Sequence, residues 1–293
     1  MGISKQNFHQ RMDKWLNHQE ERAALIPIIR EIRNNHPKMS AREMYKKIQP
    51  QTFARDKFEA FCFSIGLKVV NPKNFRKTTN SNGVIRFPNR IIDLELTGVY
   101  QVLVSDITYY ELKGKFYYLT FIMDLFSREI LGYSISSNLK TENTTLAALI
   151  MVVQNVGKEN LIGTIIHSDG GGQYYAKIFK KMTGELKMVN SMAKEMYENP
   201  HAERVNGTIK NAYIIPYNPQ NYKELKRDTT KAILMYNTEK PHKSLNGLTP
   251  VEFKNKQFIN NLIINEKEDA VKTENYSNSN FPVLTAKYNH QYV

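Results

Sequence analysis

Three acidic residues stand where carboxylates could do chemistry on a phosphodiester. Asp106 follows an apolar stretch that ends at Val104, and Asp169 follows another that ends at Ile166. Glu203 lies near the start of a helical pattern. Carboxylate oxygens are ligands that Mg²⁺ prefers, and two such ions about 3.5–4 Å apart stabilise both the attacking and the leaving oxygen. The residue types therefore predict a site for two Mg²⁺ ions, with Mn²⁺ as a substitute.

Each acid also has an ordinary structural role open to it. An aspartate at a strand end often forms a turn, and a glutamate in the first helical turn favours the helix dipole. Three glycines at 170–172 would let a phosphate approach the backbone after Asp169, but they would also suit a loose turn. Asp124 is a further acid, and we expect it to pair with Arg128, four residues later, as a structural contact.

The positive charge of the chain is concentrated in its first third. The 293 residues carry a net charge of +13, and residues 1–90 alone hold 18 Lys and Arg against 7 Asp and Glu. Such a segment suits a polyanion, because each basic side chain that neutralises a phosphate releases a counterion. We expect residues 1–90 to bind DNA with a steep salt dependence. A solvated basic surface without a partner is the alternative.

Composition excludes several other classes of protein. Hydrophobic residues make up 41% and charged residues 24%, as in ordinary globular proteins. No stretch approaches the roughly 18 apolar residues of a membrane helix, and no signal-peptide pattern is present, so we expect a cytoplasmic protein. The single cysteine, Cys62, excludes an intramolecular disulfide and zinc sites built from cysteine pairs. We expect Cys62 to be buried.

Residues 1–72 predict a small helical region. Apolar residues recur at helical spacing over 25–32, a capping box opens a helix at 40–43, and a third helix is expected over 53–65. Three short helices joined by tight turns in a basic segment fit a helix-turn-helix module. Arg55 and Lys57, near the start of the third helix, are candidates for contact with a DNA groove.

Residues 73–92 predict a basic linker, and residues 93–255 a domain of mixed strands and helices. The pattern gives strands near 99–104, 116–123 and 129–136, a helix near 141–156, a strand near 162–166, a helix near 174–183, a strand near 187–191, and helices near 199–214 and 222–236. Three antiparallel strands followed by alternating helices and strands predict an α/β fold. It is a mixed sheet flanked by helices, in the order of a ribonuclease H-like fold. Residues 256–293 predict a polar, partly disordered appendage.

Several motifs, taken in order, resemble the integrase-type catalytic core of the IS-three family of bacterial insertion-sequence transposases. They are Ser105–Tyr109, Asp124–Gly132, His167–Gly171, Asn199–Asn211 and Tyr236–Pro250. The resemblance runs from about residue 20 to residue 255. Its specificity comes from the joint order and spacing of the motifs more than from any one of them.

The resemblance implies that Asp106, Asp169 and Glu203 form a catalytic triad that holds Mg²⁺ and cuts and joins DNA strands at the ends of the element. It also implies DNA contacts by Lys210, which lies two helical turns after Glu203, and by Arg204; an exposed lysine without a partner is the alternative for Lys210. The expected partners are double-stranded DNA, further copies of the chain, and an upstream reading-frame product to which such chains are commonly fused. A bacterial, nucleoid-associated location follows from the same resemblance.

Two departures from the family pattern keep another function open. Leu103 stands where the family often has tryptophan, and 33 residues separate Asp169 from Glu203, slightly fewer than is usual. A catalytically inactive or regulatory derivative that holds DNA without cutting it is therefore the alternative. A ribonuclease H-like nuclease acting on RNA–DNA hybrids is a third function, which the basic helical region argues against. The single cysteine excludes the zinc module of retroviral integrases.

Overall fold

The computed structural model describes residues 4–69, 87–193 and 199–260. By its contacts the chain divides into one unit of residues 1–253 and a second from residue 254 onward, of which 254–260 is described. Most of the predicted linker at 73–92 and of the predicted appendage at 256–293 lies outside the described residues. Within those residues, no helix is both long and apolar enough to cross a membrane.

Three helices form the N-terminal region: α1 (Lys5–Asn35), α2 (Ala41–Ile48) and α3 (Arg55–Ser64). The predicted capping box at Ser40 and Glu43 opens α2, and Gly66 follows α3 in the left-handed backbone region at φ 81°. The prediction of three short helices is wrong for α1, which has 31 residues. Cys62 is buried as predicted, within the core that the three helices share.

A five-stranded sheet with strand order β3-β2-β1-β4-β5 forms the centre of the following domain. Its strands are β1 (Val102–Leu112), β2 (Lys115–Asp124), β3 (Ile130–Ser136), β4 (Ile165–Ser168) and β5 (Val189–Met192). The first three strands are antiparallel neighbours, whereas β4 and β5 run parallel to β1. Lys113 and Gly114, both at positive φ, form the two-residue turn between β1 and β2. The predicted ribonuclease H-like mixed sheet is confirmed.

Helices cover both faces of the sheet. Among the helices after β3 are α4 (Thr145–Val156), α5 (Gly172–Tyr175), α6 (Lys177–Glu185), α7 (Pro200–Ile209), α8 (Ile215–Tyr217) and α9 (Tyr222–Thr238). Alternate residues of β1 enter different cores, because successive side chains of a strand point to opposite faces. Leu103 packs in the core that contains residues of α4 and α6, and Val104 in the core that contains residues of α7 and α9. A π-helical stretch, Lys210–Ile214, joins α7 to α8.

A cluster of polar side chains joins the N-terminal helices to the end of α9. Its members, the docking cluster below, are His36, Glu43, Lys47, Glu239 and Lys240. The Lys240 Nζ lies 2.6 Å from a Glu43 carboxylate oxygen, and Lys47 lies 3.1 Å from Glu239. His36 is buried, and its Nδ1 lies 3.0 Å from the hydroxyl of Tyr213 in the π-helical stretch. The N-terminal region is thus bonded to the α/β domain through groups that satisfy one another.

Candidate active site

Asp106 and Asp169 lie side by side because β1 and β4 are parallel neighbours. The last residues paired between these strands are Ser105 and Ser168, and each aspartate comes next. The prediction that Asp106 ends its strand is wrong, since β1 continues to Leu112 with β2 as its partner. What ends before Asp106 is the pairing with β4, and this places both aspartates at one edge of the parallel part of the sheet.

Asp106 is a strained carboxylate in a polar setting. Its Oδ1 accepts a hydrogen bond from the backbone N–H of Ile107 at 2.8 Å, and its Oδ2 accepts one from Asn206 Nδ2 at 2.8 Å. Burial raises the pKa of Asp106 to about 7, with the negative charges of Asp169 and Glu203 adding to the rise and the two hydrogen bonds opposing it. Asp169 and Glu203 are therefore close enough to Asp106 for their charges to act on it, and the three acids are called the carboxylate centre below.

Asp169 lies in the glycine-rich loop that follows β4. Its Oδ1 accepts a hydrogen bond from the backbone N–H of Gly171 at 3.1 Å. A Cβ atom at position 171 would lie 3.0 Å from the same oxygen, so glycine lets the loop close on the carboxylate. The side chain has an exposed side, yet desolvation by the protein around it raises the pKa of Asp169.

Glu203 is the fourth residue of α7, and its side chain is exposed. Asn199, the buried residue before α7, donates from Nδ2 to the backbone carbonyl of Ser105 at 3.1 Å. This bond ties the start of α7 to the strand that carries Asp106. Among the described residues, no group of three or more His, Cys, Asp or Glu side chains is arranged to hold a metal ion. Glu203 thus approaches the aspartate pair without closing a cage of ligands.

Two supporting side chains were missed by the sequence prediction. Asn206 follows Glu203 by three residues, so helical spacing could have placed it on the side of α7 that faces Asp106. Tyr174 gave no such signal. It is buried, and its hydroxyl lies 2.8 Å from Ser105 Oγ. Burial is the main cause of its raised pKa, and the negative charges of both aspartates raise the pKa further. Tyr174 and Asn206 therefore support the carboxylate centre from two different helices.

Lys210 lies over β1, beyond Asp106. Its Nζ is 3.4 Å from Thr108 Oγ1, 3.3 Å from the carbonyl oxygen of Tyr109 and 5.1 Å from the centre of the Tyr109 ring. Desolvation lowers the pKa of Lys210. The ammonium group forms no ion pair with a carboxylate in the part of the chain that the structure describes.

The other predicted DNA contacts are divided between two regions. Arg204 is exposed on α7, next to Glu203 in the chain. Arg55 and Lys57 are exposed on α3 in the N-terminal region, where Arg55 lies 2.8 Å from Asp56. The structure therefore places Arg204 on α7 with Glu203, Lys210 at the start of the π-helical stretch after α7, and Arg55 and Lys57 in the N-terminal helical region.

The predicted ion pair between Asp124 and Arg128 does not form. Asp124 is fully buried, and its oxygens accept hydrogen bonds from the backbone of Tyr100 at 2.8 Å and from the backbone and hydroxyl of Ser127 at 2.7 and 2.6 Å. Arg128 points instead to His201, with 2.9 Å between its terminal nitrogen and the His201 Nδ1. The prediction failed because residues 124–128 form a turn, where the spacing rule for helices does not apply.

The chemistry of the carboxylate centre suits a hard divalent cation. Its donors are carboxylate oxygens, which are the ligands preferred by Mg²⁺ and Mn²⁺. None of the three acids forms an ion pair with a lysine or arginine of the described residues. A bound cation would neutralise charges that no described side chain neutralises. The two aspartates follow the paired residues Ser105 and Ser168 and would be the first ligands of such an ion, whereas Glu203 is the acid that would have to move closer.

Comparisons with known proteins match the domain that carries this site to integrase core domains. Two family models, each described as an integrase core domain, match residues 97–196 and 185–250. A 31 kDa protein of insertion element IS600 from Shigella sonnei is 28% identical over 69% of this chain and 75% of its own length. The putative transposase InsK of insertion sequence IS150 from Escherichia coli is 27% identical, over 57% of this chain and 59% of its own. The putative transposase of IS986/IS6110 from Mycobacterium tuberculosis is 25% identical over 68% and 74%.

Solved structures with similarity to this chain include viral integrases. The magnesium complex of the HTLV-2 integrase catalytic core domain is 19% identical, with a TM-score of 0.43, over 58% of this chain and 98% of that one. An integrase intasome of simian T-cell lymphotropic virus, in complex with a PP2A regulatory subunit, is 15% identical with a TM-score of 0.46, over 83% and 72%.

Proposed function

We propose that this chain, which belongs to the DDE transposases of bacterial insertion sequences, cuts DNA at the ends of such an element and joins the freed ends to target DNA. Membership rests on the integrase core domain matches and on the insertion-sequence relatives. The observation that carries the proposed reaction is the register that aligns Asp106 with Asp169, within electrostatic reach of Glu203.

We infer that the carboxylate centre holds divalent metal, as two Mg²⁺ ions for which Mn²⁺ can substitute. The mutual repulsion that helps raise the pKa of Asp106 supports this inference, because a cation between the acids would relieve it. When bound, the metal activates the attacking oxygen and stabilises the leaving oxygen of the phosphodiester. We propose that a small movement of α7 towards β1 brings Glu203 into the ligand set.

The protein groups around the centre have distinct proposed tasks. Asn206 orients Asp106 through its side-chain amide, and the Gly171 N–H fixes Asp169. Lys210 and Arg204 are proposed to bind phosphates of the DNA on either side of the scissile bond. No nucleophilic side chain is needed, because the attacking oxygen comes first from water and then from the freed 3′-hydroxyl of the DNA.

We also propose roles for the regions outside the centre. Residues 1–72 would bind element-end DNA through their basic helices, with Arg55 and Lys57 in a groove, and residues 93–255 would form the catalytic core. Joining two ends requires that they be held together, so we propose an assembly of several copies on DNA. Fusion to an upstream reading-frame product and association with the bacterial nucleoid belong to the same proposal.

Asp169→Asn tests the proposed reaction. The full-length chain and this variant would be incubated with DNA that carries the ends of the element, in Mg²⁺ or Mn²⁺, and strand cleavage and DNA affinity would be measured. We expect cleavage to be abolished and affinity to stay nearly unchanged, because the carboxylate binds metal and not DNA. Glu185→Gln, which changes an exposed acid on α6, is the matched control and should cleave normally.

Two results would count against the proposal in different ways. Equal cleavage by Asp169→Asn and the parent would remove Asp169 from the reaction. A parent chain that binds element-end DNA but never cuts it, in either metal, would favour the regulatory DNA-binding derivative instead.

A further inference from the structure

The connection between β2 and β3 holds Arg128 in an unusual backbone conformation. Arg128 has a φ of 65°, in the left-handed region that side chains other than glycine rarely adopt. The backbone N–H of Arg128 donates to the carbonyl of Asp124 at 2.9 Å. The buried Asp124 carboxylate accepts hydrogen bonds from the N–H and from the hydroxyl of Ser127. These bonds hold the backbone at Arg128 in one conformation, from which its side chain reaches α7.

The Arg128 guanidinium is half-buried without a carboxylate partner. Its hydrogen bond goes to His201 Nδ1 at 2.9 Å, and no acid among the described residues forms an ion pair with it. Because an arginine side chain can only donate, the His201 Nδ1 accepts this bond. An arginine has five N–H donors, and most of those on Arg128 remain available to a ligand.

A second guanidinium lies beside the first. Arg204 follows His201 by three residues on α7, is exposed, and lies close enough for its positive charge to oppose that of Arg128. It forms no ion pair within the described ranges 4–69, 87–193 and 199–260. Two like charges held together in this way repel each other, and an anion between them would turn the repulsion into attraction.

The two sides of α7 carry different chemistry. Asn206 and Lys210 contact Asp106 and the residues beyond it on β1, and Glu203 lies on the same side by helical spacing. His201 contacts the β2–β3 connection instead, and Arg204, three residues later, shares its side of the helix. A DNA strand that crosses α7 would therefore meet the carboxylate centre on one side and the two arginines on the other.

We propose that Arg128, His201 and Arg204, the arginine cluster below, form a binding site for a phosphate of the DNA backbone, separate from the carboxylate centre. Arg128 presents the planar fork that suits two oxygens of one phosphate, His201 fixes the orientation of this fork, and Arg204 contributes a second positive charge. The inference rests on the proposed function, because its ligand is the DNA that the transposase cuts.

The salt dependence of DNA binding tests the arginine cluster. Binding of a labelled element-end duplex would be followed by fluorescence anisotropy over a range of NaCl concentrations, without divalent metal so that no strand is cut. Each phosphate contact adds about 0.9 to the slope of log K against log salt concentration. We expect Arg128→Gln and Arg204→Gln each to lower the slope by up to that amount, and the double variant to lower it by about that amount in total, because both arginines bind the same phosphate.

Two further variants separate a phosphate contact from a structural role. Arg128→Lys keeps the charge but not the fork, so we expect it to keep the slope and to bind DNA several-fold more weakly. Arg227→Gln removes an exposed arginine of α9 that is paired with Asp228 at 2.8 Å, and it should bind like the parent. Thermal melting of every variant reports whether it is folded.

Two outcomes would overturn the proposal. A parental slope in folded Arg128→Gln and in the double variant would leave Arg128 with a structural role alone. If Arg128→Gln does not fold, Arg204→Gln decides the matter, because its exposed side chain makes no described hydrogen bond, and a parental slope there contradicts the site. A parent chain that fails to bind DNA at all would instead contradict the proposed function as a whole.

Discussion

The docking cluster and the carboxylate centre use charge in opposite ways. In the docking cluster the charges are paired across two regions of the chain, with Lys240 at 2.6 Å from Glu43 and Lys47 at 3.1 Å from Glu239. In the carboxylate centre the charges of Asp169 and Glu203 repel that of Asp106, and no basic side chain of the described residues is ion-paired with the three acids. The paired charges of the docking cluster join the N-terminal helices to the end of α9, whereas the unpaired charges of the carboxylate centre are available to a ligand.

This contrast predicts opposite effects of removing a charge. Taking one partner from a paired cluster leaves the other partner unsatisfied and lowers stability. Taking one acid from a group of repelling acids relieves strain in the unliganded protein, while the function that required the strain is lost. Removing a charge from the docking cluster should therefore lower stability and not activity. Removing an acid from the carboxylate centre should lower activity and not stability.

The largest effect is expected from Asp106→Asn. The substitution keeps the shape of the side chain and removes its charge, so strand cleavage should fall by roughly a thousandfold or more, as expected for several kcal/mol of lost metal-dependent stabilisation. The free energy of unfolding without metal should change little, because removing a buried charge that is repelled by Asp169 offsets the loss of one hydrogen bond, since both Asp106 oxygens accept bonds and asparagine has one acceptor oxygen. Cleavage assays and chemical denaturation measure the two quantities. A variant that is inactive only because it is unfolded would contradict the contrast.

A smaller effect, on stability alone, is expected from Lys240→Ala. This change leaves Glu43 partly buried without its cation, so the free energy of unfolding should fall by about 1–2 kcal/mol. Cleavage by the folded variant should stay close to that of the parent. The matched control is Arg42→Ala, which breaks a pair with Glu59 in which the arginine is 65% exposed and should change stability by less than about 1 kcal/mol. Equal destabilisation by both variants would mean that burial does not increase the contribution of the Lys240–Glu43 pair to stability.

The smallest effect concerns the pH dependence of stability. Burial lowers the pKa of His36, and the nearby charges of Lys47 and Lys240 act in the same direction, against the hydrogen bond and charge of Glu239. The folded protein therefore binds this proton less readily than the unfolded chain does. The contribution of His36 to the free energy of unfolding is fully present above its pKa in the unfolded chain, about 6.5. It is lost as the pH falls through the lower pKa that His36 has in the folded protein. The loss is at most about 1.4 kcal/mol per pH unit.

His36→Gln isolates this contribution. Chemical denaturation of parent and variant between neutral and mildly acidic pH should give a steeper loss of stability for the parent as the pH falls. Parallel curves would show that the buried imidazole does not titrate on unfolding in this range.

The parts of the fold that sequence could predict are those with periodic apolar residues. The hairpin at Gly114 and most strands and helices of the core were placed within a few residues. The first half of α1 was missed because its buried residues, Leu25, Ile29 and Ile32, all lie in the second half. The far half of β1 was missed because its side chains from Asp106 to Glu111 are only partly buried or exposed, and the partner strand β2 holds them in place.

The candidate site was predictable in its acids and not in its surroundings. The sequence placed Asp106 and Asp169 after apolar stretches, but only the parallel register aligns them. Leu103, where the family often has tryptophan, is fully buried beside residues of α4, so leucine fills this position in the core. Arg128 and His201 are 73 residues apart in the sequence, and a local sequence pattern cannot predict a contact between residues so far apart.

The 33-residue separation between Asp169 and Glu203 still brings the helix of Glu203 to the strand of Asp106. Asn199 bonds the start of α7 to Ser105, and Asn206 bonds its middle to Asp106. The slightly shorter separation therefore still places Glu203 on a helix that contacts the strand of Asp106, from which Glu203 would have to move closer to the aspartates. Its catalytic role stays a prediction.

The central claim is that the two aspartates and Glu203 together hold a divalent metal. Crystals of the full-length chain bound to element-end DNA, grown with Mn²⁺, allow a direct measurement, because anomalous scattering at the manganese edge locates the ion independently of activity. We predict anomalous scattering from Mn²⁺ between Asp106 and Asp169, with ligand oxygens at roughly 2.1 Å as for ions of this type. We also predict that Glu203 has moved close enough to bind the same metal. Anomalous peaks elsewhere, or none at these aspartates at saturating Mn²⁺, would contradict the account.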